Sequence, residues 1–372
     1  MARLKIGIAG AGVLGRLLAW RLSRLGHEVT VVDPALGPSP PAPGSLAAPA
    51  LSHAAGFTAA GMLSPLAELD NAGPEIAHLG WRSVALWRQV AEELAGAGAR
   101  APLFAQKGSL LLAHSSDLGS AQRVLARLNG TSKLSGLPPA PQALDRASLA
   151  ALEPALAANL RAWLLPDEAQ IMPREMLQAL GSLTPGARWC WGQRVERVEP
   201  GALHVAGQAA LPCDLAIDVR GVGASADMPL RGVRGEVIWL HAPGLRLQRP
   251  VRLLHPRHRV YIVPRPGDVL VIGASEIESE DRSPVSLRSA VELMAAAHSA
   301  LPELAEARIV HMESNLRPAL PDNAPATRTE AGLLRINGLF RHGWLLAPAL
   351  VQDALTKLQL EAPHIKEDAA HA

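Results

Sequence analysis

Cysteine and aromatic residues are scarce in this chain. Of its 372 residues only two are cysteines, Cys190 and Cys213, and one is a tyrosine. Two cysteines are too few for the disulfide framework of a small secreted domain, so we predict reduced core thiols. The thirteen histidines show no metal-ligand spacing, and no metal is predicted.

Long hydrophobic runs and an excess of one charge are also missing. No apolar run reaches the roughly 18 residues of a transmembrane helix, so none is predicted. The 36 basic and 34 acidic residues leave a formal net charge of +2, which demands neither a nucleic-acid nor a membrane partner. The first apolar run begins within a few residues of Met1, which leaves no room for a signal peptide, and we expect a cytoplasmic location.

The first 33 residues carry the pattern of a nucleotide pocket. An apolar run leads into the glycine-rich sequence GAGVLG at 10–15, a helical pattern follows, and a second apolar run closes on Asp33. This order is typical of a dinucleotide-binding unit. Gly10 allows the tight turn, Gly12 lets the backbone approach a pyrophosphate, and Gly15 lets the helix pack on the strand. Asp33 would accept a ribose hydroxyl, which disfavours NADP but leaves NAD and FAD open.

Later segments predict a second, different layer. Three short strands at 236–240, 259–263 and 269–273 are separated by proline and glycine turns, which favours a mixed or antiparallel sheet. Near the end of the chain, the pattern predicts a glycine-bearing loop at 338–348 and a closing helix at 349–360. The chain is therefore predicted to be α/β, with a Rossmann-like domain and a smaller domain built on a mixed or antiparallel sheet.

Several separated motifs resemble one family of flavoenzymes. They are GAGVLG at 10–15, AAGMLSP at 59–65, RGE at 234–236, YIVPR at 261–265, GASEIESED at 273–281, LRPALPD at 316–322 and GLFRHGWLLAP at 338–348. In this order they resemble the D-amino-acid-oxidase superfamily, and most of all the glycine oxidases of thiamine biosynthesis, the ThiO type. The tract VRGVG at 219–223 departs from the family's commoner form.

The resemblance implies FAD as the cofactor and a discontinuous FAD-binding domain. That domain would take residues 1–88, 165–232 and 316–372, and the substrate domain residues 89–164 and 233–315. The residues that the resemblance assigns to FAD are Gly10, Ala11, Gly12, Val13, Leu14, Gly15, Asp33, Ala60, Gly61, Met62, Val195, Gly221, Gly338, Arg341, His342, Gly343, Trp344 and Leu345.

The same resemblance implies a set of substrate residues. Arg317 would hold the substrate carboxylate, because a guanidinium matches a carboxylate with two hydrogen bonds; the alternative is a surface arginine paired with Asp322. Tyr261 would donate to the same carboxylate. Arg341 is predicted to be catalytic together with Arg317 and Tyr261. Arg341 and His342 would lie in a loop against the flavin and the substrate. Glu276 would either face the substrate pocket or be solvated.

The implied reaction is FAD-dependent oxidation of glycine or a similar small amino acid. The products would be an imine or 2-oxo acid with ammonia and, with dioxygen as acceptor, hydrogen peroxide. The alternatives are a D-amino-acid or sarcosine oxidase, a dehydrogenase, and a tRNA-modifying FAD oxidoreductase domain. A homo-oligomer is compatible with the sequence, which leaves the oligomeric state and the electron acceptor open.

Overall fold

The computed structural model describes residues 2–40, 53–70, 72–131, 140–254 and 259–361. The helices are α1 Val13–Arg24, α2 Pro65–Glu68, α3 Pro74–Gly96, α4 Leu118–Thr131, α5 Arg146–Leu152, α6 Pro173–Ser182, α7 Leu287–Ala300 and α8 Gly343–Lys357. The strands are β1 Lys5–Ala9, β2 Glu28–Asp33, β3 Met62–Leu63, β4 Phe104–Ala105, β5 Ser109–Ala113, β6 Gln142–Leu144, β7 Arg161–Leu165, β8 Ala169–Ile171, β9 Arg188–Trp191, β10 Val195–Glu199, β11 Ala202–Val205, β12 Leu211–Pro212, β13 Leu215–Asp218, β14 Arg231–His241, β15 Val251–Leu254, β16 Arg259–Arg265, β17 Val269–Gly273, β18 Arg308–Ala319, β19 Ala326–Glu330 and β20 Leu333–Asn337.

A six-stranded sheet in the order β19-β20-β13-β1-β2-β9 forms the first layer. Strand β1 lies between β13 and β2 and is parallel to both, as expected for a dinucleotide-binding unit. The strands read as apolar runs because both faces of the sheet are covered: α1, α3 and α8 share one core with β1 and β2, and β10 and β11 pack on the other face. The predicted Rossmann-like unit is confirmed.

The second layer is an eight-stranded sheet in the order β18-β14-β17-β16-β15-β5-β7-β6. Its pairs are antiparallel except for the parallel pair β5–β15, so the predicted mixed sheet is confirmed. Helix α7 packs on one face and shares a core with β14, β16 and β17. The predicted strand at 236–240 is only part of the second half of β14, because β14 pairs with β18 from Arg231 to His241.

The predicted domain boundaries fall inside secondary structure. Position 88 lies within α3, 164/165 within β7, 232/233 within β14 and 315/316 within β18. Strands β14 and β18 run through two of these boundaries without interruption, so no linker separates the predicted domains there. The boundaries remain a prediction.

The C-terminal helix begins earlier than predicted. The sequence predicts a loop up to Pro348, whereas α8 starts at Gly343 and includes that proline. Pro348 has no N–H for the carbonyl of Trp344, and the indole Nε1 of Trp87 donates to that oxygen instead at 2.7 Å. The Ala349 N–H donates to Ser83 Oγ at 3.2 Å. Two side chains one turn apart on α3 thus replace helix bonds that the proline interrupts.

Two findings concern the absences in the sequence. Within the described parts of the chain, no helix is long and apolar enough to span a membrane. Cys190 and Cys213 are both free thiols, as predicted.

Candidate active site

A cavity of about 2370 Å³ lies between the two layers. One end is formed by the turn after β1 and the end of β13, where parallel strands point their carboxyl ends. The other end is formed by residues of β15, β16 and β18, together with the start of α8. The cavity is therefore continuous from the nucleotide-binding turn to the second sheet.

The glycines of the turn meet different demands. Gly10 has φ +105°, and a Cβ there would stand 2.6 Å from the Val219 carbonyl oxygen. A Cβ on Gly15 would collide with the backbone of Gly10, so helix and strand could not approach. A Cβ on Gly12 would meet nothing closer than Ala54 Cβ at 3.4 Å. Protein packing therefore does not require glycine at position 12, and the open side faces the cavity.

Asp33 stands at the edge of this turn, as predicted. Its Oδ2 accepts the Ala11 N–H at 2.6 Å and its Oδ1 accepts the Ala35 N–H at 2.8 Å. Each carboxylate oxygen can accept a further hydrogen bond, and the residue lines the cavity. The exposed backbone at Gly12 and the N-terminus of α1 fit a pyrophosphate, and the Asp33 carboxylate fits a ribose, as FAD requires.

Arg317, on β18, projects into the other end of the cavity. Its Nη1 donates to the Ser275 carbonyl oxygen at 3.0 Å and to that of Arg234 at 3.4 Å. Within the described residues it forms no ion pair with a carboxylate. The alternative pairing with Asp322 is not formed: among the described residues the hydrogen bonds of Arg317 go to carbonyl oxygens, and the Asp322 carboxylate accepts the Ala324 N–H at 3.0 Å. Burial lowers the pKa of Arg317, since a desolvated cation is disfavoured.

Tyr261, on β16, stands near Arg317. Burial raises the pKa of its hydroxyl, and the charge of Arg317 opposes that shift. A Cβ on Gly273 would lie 2.5 Å from the Tyr261 hydroxyl oxygen, and one on Gly235 would overlap the Arg317 guanidinium. These two glycines leave room for both side chains above the sheet.

Glu68 connects the remaining charged groups, and the sequence did not predict it. Its Oε2 accepts from Arg341 Nη2 at 2.9 Å and Nε at 3.1 Å, and lies 3.0 Å from His342 Nε2. Its Oε1 accepts from Arg252 Nη2 at 3.1 Å. Burial alone would raise the pKa of Glu68, but Arg341, Arg252 and His342 hold it well below its ordinary value.

A second buried acid holds the helix that carries Glu68. Glu168 Oε1 accepts the N–H groups of Leu66 and Ala67, at 3.1 and 3.2 Å, in the first turn of α2. Its Oε2 is hydrogen-bonded to the Ser109 hydroxyl. Burial raises the pKa of Glu168 to about 7. Glu168 therefore fixes α2, and α2 in turn fixes Glu68.

Glu276 both faces the cavity and remains partly solvated. Its side chain is 50% exposed, and its Oε2 accepts from Arg341 Nη1 at 3.4 Å. Burial lowers the pKa of Arg341, but Glu68 and Glu276 more than compensate and raise it. Arg341 thus has one deeply buried and one accessible carboxylate partner.

Gly343, Trp344 and Leu345 form the first turn of α8 and line the cavity. The N–H groups of a first helical turn have no acceptor within the helix. His342, which precedes them, is buried, and its Nδ1 has no partner among the described residues. This end of the cavity can therefore stabilise negative charge.

Most of the predicted site residues meet at this cavity. Those that line it are Gly10, Gly12, Val13, Leu14, Asp33, Ala60, Gly61, Met62, Val195, Gly221, Tyr261, Glu276, Arg317, Arg341, His342, Gly343, Trp344 and Leu345. Ala11, Gly15 and Gly338 lie behind it, and Ala11 and Gly15 support the turn through their backbone. Arg252 was missed; its signal was a charged residue inside the apolar run 251–254.

The segment that carries Ala60 is tied to the second sheet. Arg265 Nη2 donates to the Ala60 carbonyl oxygen, and Asn315 Nδ2 donates to the His53 carbonyl oxygen at 3.0 Å and to Thr58 Oγ1 at 3.1 Å. The desolvation of Arg265 lowers its pKa to about 10. Within the described residues, no cluster of histidine, cysteine and acidic side chains could hold a metal ion.

Known proteins match this chain over nearly their whole length. The chain is 37% identical over 360 residues to a Rhizobium etli protein that carries the name thiamine biosynthesis oxidoreductase ThiO, which covers 96% of this chain and 97% of the relative. The structure of glycine oxidase from Geobacillus kaustophilus superposes with a TM-score of 0.79 at 24% identity, covering 98% of this chain and 97% of the other. Iminodiacetate oxidase from Chelativorans sp. BNC1 gives 0.79 at 24% identity, with 97% of each chain covered.

The fold and the cavity define a dinucleotide-binding oxidoreductase whose site lies between a Rossmann-like layer and a mixed sheet. The family model described as FAD dependent oxidoreductase matches residues 5–354, and the chain belongs to this family. The predicted superfamily and the predicted cofactor, FAD, are thereby confirmed.

Proposed function

We propose that this protein oxidises glycine or a similarly small amino acid to its imine. The imine hydrolyses to the 2-oxo acid and ammonia, and dioxygen, as the electron acceptor, is reduced to hydrogen peroxide. The names of the Rhizobium etli relative and of the glycine oxidase support this class of reaction. The former also supports a role in thiamine biosynthesis, in which we place the enzyme at thiazole synthesis and in the cytoplasm as part of the proposal.

The observation that carries the proposal is that Arg317 has no counter-ion among the described residues. Its guanidinium lies at the cavity wall and has carbonyl partners but no carboxylate partner among the described residues. A partly buried cation without a counter-ion is completed by an anionic ligand. Tyr261 lines the same cavity and is affected by the charge of Arg317, and its hydroxyl would donate to the same carboxylate. Together they would bind a small carboxylic acid in one orientation.

FAD held by the turn at Gly10–Gly15 and by Asp33 would supply the redox chemistry, which is acceptance of a hydride from the substrate α-carbon. The protein supplies orientation and electrostatics. Arg317 and Tyr261 fix the carboxylate and thereby aim the α-carbon. The amine must be neutral to react, and no side-chain base is required for this route.

The N-terminal turn of α8 would contact the flavin, which is the other partner in the reaction. Its free N–H groups and the helix dipole favour negative charge where Gly343 to Leu345 line the cavity. Arg341 adds a positive charge at the same place, and its side chain is positioned by hydrogen bonds to Glu68. These groups are in position before the reaction, so no reorganisation is needed.

The test is hydrogen peroxide release by purified, FAD-loaded protein with dioxygen as sole acceptor. We expect turnover of glycine, with sarcosine and D-alanine compared in the same assay. Reduction of the bound flavin without peroxide release would make the protein a dehydrogenase. Absence of flavin reduction by any of the three would overturn the proposal.

A further inference from the structure

One carboxylate at the site is not used by the proposed reaction. Glu68 is buried and has three cationic or polar partners, so its charge is fully engaged. Glu276 is different: its side chain is half exposed, and the one ion pair that it forms with a described residue is to Arg341 Nη1 at 3.4 Å. The charge of a weakly held, accessible carboxylate acts electrostatically on a ligand that enters the cavity.

Glu276 stands between Arg317 and Arg341. It directly follows Ser275, whose carbonyl oxygen accepts from Arg317 Nη1 at 3.0 Å. Its own carboxylate meets Arg341, and its charge acts on both guanidinium groups. A ligand carboxylate bound by Arg317 therefore has Glu276 as its neighbour on the side of Arg341.

The charges at this end of the cavity favour one carboxylate. Three arginines, Arg252, Arg317 and Arg341, face two glutamates, Glu68 and Glu276, and these five side chains together carry a formal charge of +1. One substrate carboxylate neutralises it. A second carboxylate would have to displace Glu276 from Arg341 or lie beside it as a like charge.

We propose that Glu276 is a specificity-determining residue that restricts the site to acids with one carboxylate. It does so by occupying Arg341 and by repelling a second carboxylate. This inference rests on the proposed function, because it takes Arg317 as the anchor of the first carboxylate.

The experiment compares two unreactive ligands of similar shape, methoxyacetate with one carboxylate and diglycolate with two. Their dissociation constants are read from the flavin absorption of the FAD-loaded wild type, Glu276→Gln and Glu278→Gln. Glu278 is the matched control, because it lies in the same loop but pairs with Arg231 at 2.9 Å and is 65% exposed. Flavin content and melting temperature report that each variant is folded.

In the wild type we expect methoxyacetate to bind more tightly than diglycolate. Glu276→Gln should shift the ratio of the two dissociation constants toward diglycolate by on the order of 10- to 100-fold, as expected for loss of a like charge in a half-buried site. Glu278→Gln should leave the ratio within about threefold of wild type, since exposed charges are screened.

An unchanged ratio in Glu276→Gln, or an equal shift in Glu278→Gln, would overturn the inference. Glycine turnover by the wild type is measured separately and would still support the proposed function in that case. If neither ligand binds the wild type and glycine is not oxidised, the anchor itself is wrong and both proposals fall.

Discussion

At the scale of residues, the site depends on how each buried charge is balanced. Arg252 and Arg341 share Glu68, whereas Arg317 has only carbonyl partners among the described residues. The contrast separates two roles: the shared pair is internal structure, and Arg317 is open to a ligand. Glu168 is the opposite case, a buried acid whose hydrogen bonds do not offset its desolvation.

Replacing Arg317 by alanine should abolish substrate anchoring without loss of cofactor. Two charge-assisted hydrogen bonds are worth roughly 3–6 kcal/mol together, so kcat/KM for glycine should fall on the order of 10²- to 10⁴-fold. Steady-state peroxide assays measure this. An amine without a carboxylate is the control and should lose much less. Wild-type kcat/KM in the variant would remove Arg317 from the site, and loss of FAD would make its role structural.

Glu168→Gln should change how stability depends on pH. The pKa of Glu168 is raised to about 7 from an ordinary 4.5, so the folded state binds the proton more tightly. Its contribution to stability is full below pH 4.5 and is lost as the pH rises through 7. Glutamine mimics the protonated acid, accepting from Leu66 and Ala67 and donating to Ser109. Relative to wild type, the variant should gain up to about 3 kcal/mol between pH 5 and pH 8.

Denaturant unfolding of both proteins at several pH values measures the difference. Glu303→Gln, at an exposed position, controls for the loss of one carboxylate. Parallel stability curves for wild type and Glu168→Gln would show that Glu168 does not titrate in this range.

At the scale of elements, α8 is the helix that most shapes the site. Its first turn lines the cavity, and its interior contains Pro348. The helix continues past the proline because Trp87 and Ser83 on α3 bond the groups left without helical partners. The packing of α3 on α8 thus keeps the end of the helix that lines the cavity in place.

Trp87→Phe should destabilise the protein by more than the lost ring volume alone. It leaves the Trp344 carbonyl without its donor, a loss of roughly 1–3 kcal/mol. In a Pro348→Ala background, the alanine N–H can bond that carbonyl, so the same substitution should cost less. Denaturant unfolding of the double-mutant cycle measures the coupling. Equal costs in both backgrounds would show that the indole does not substitute for the helix bond.

At the scale of the whole molecule, one cavity joins two separately built layers. The nucleotide turn belongs to the parallel sheet, whereas Arg317 and Tyr261 belong to the mixed sheet. The segment around Ala60 pairs through β3 with β8 in a small separate sheet, and Arg265 bonds it to the mixed sheet. A ligand that fills the cavity therefore contacts both layers and should stabilise the chain as one unit.

FAD should raise the melting temperature of the apoprotein, and Asp33→Ala should reduce that effect. At free FAD of about a thousand times Kd the gain is about 4 kcal/mol. Losing the Asp33 hydrogen bonds costs roughly 1–3 kcal/mol, or about ten- to a hundredfold in Kd. Thermal melts over an FAD titration measure both. FMN, which lacks the pyrophosphate and adenosine, is the control; an equal shift by FMN would contradict the assignment of the turn.

The local pattern allowed much of the fold to be predicted. The turn at Gly10–Gly15, strand β2 ending at Asp33 and the strands of the mixed sheet follow from apolar periodicity and glycine placement, which are properties of neighbours in sequence. The start of α8 could not be predicted, because Pro348 reads as a loop residue unless Trp87, more than 250 positions away, is known to compensate.

The sequence by itself determined the nucleotide-binding unit, the mixed second sheet and the identity of Arg317 and Tyr261 as substrate residues to be tested. These rest on local backbone conformation and on motifs that a linear chain displays. Only the tertiary structure brought Glu68, Arg252, Arg341 and His342 together and set Glu168 behind them. Charge balance in a buried site depends on distances between residues far apart in sequence, and folding alone sets those distances.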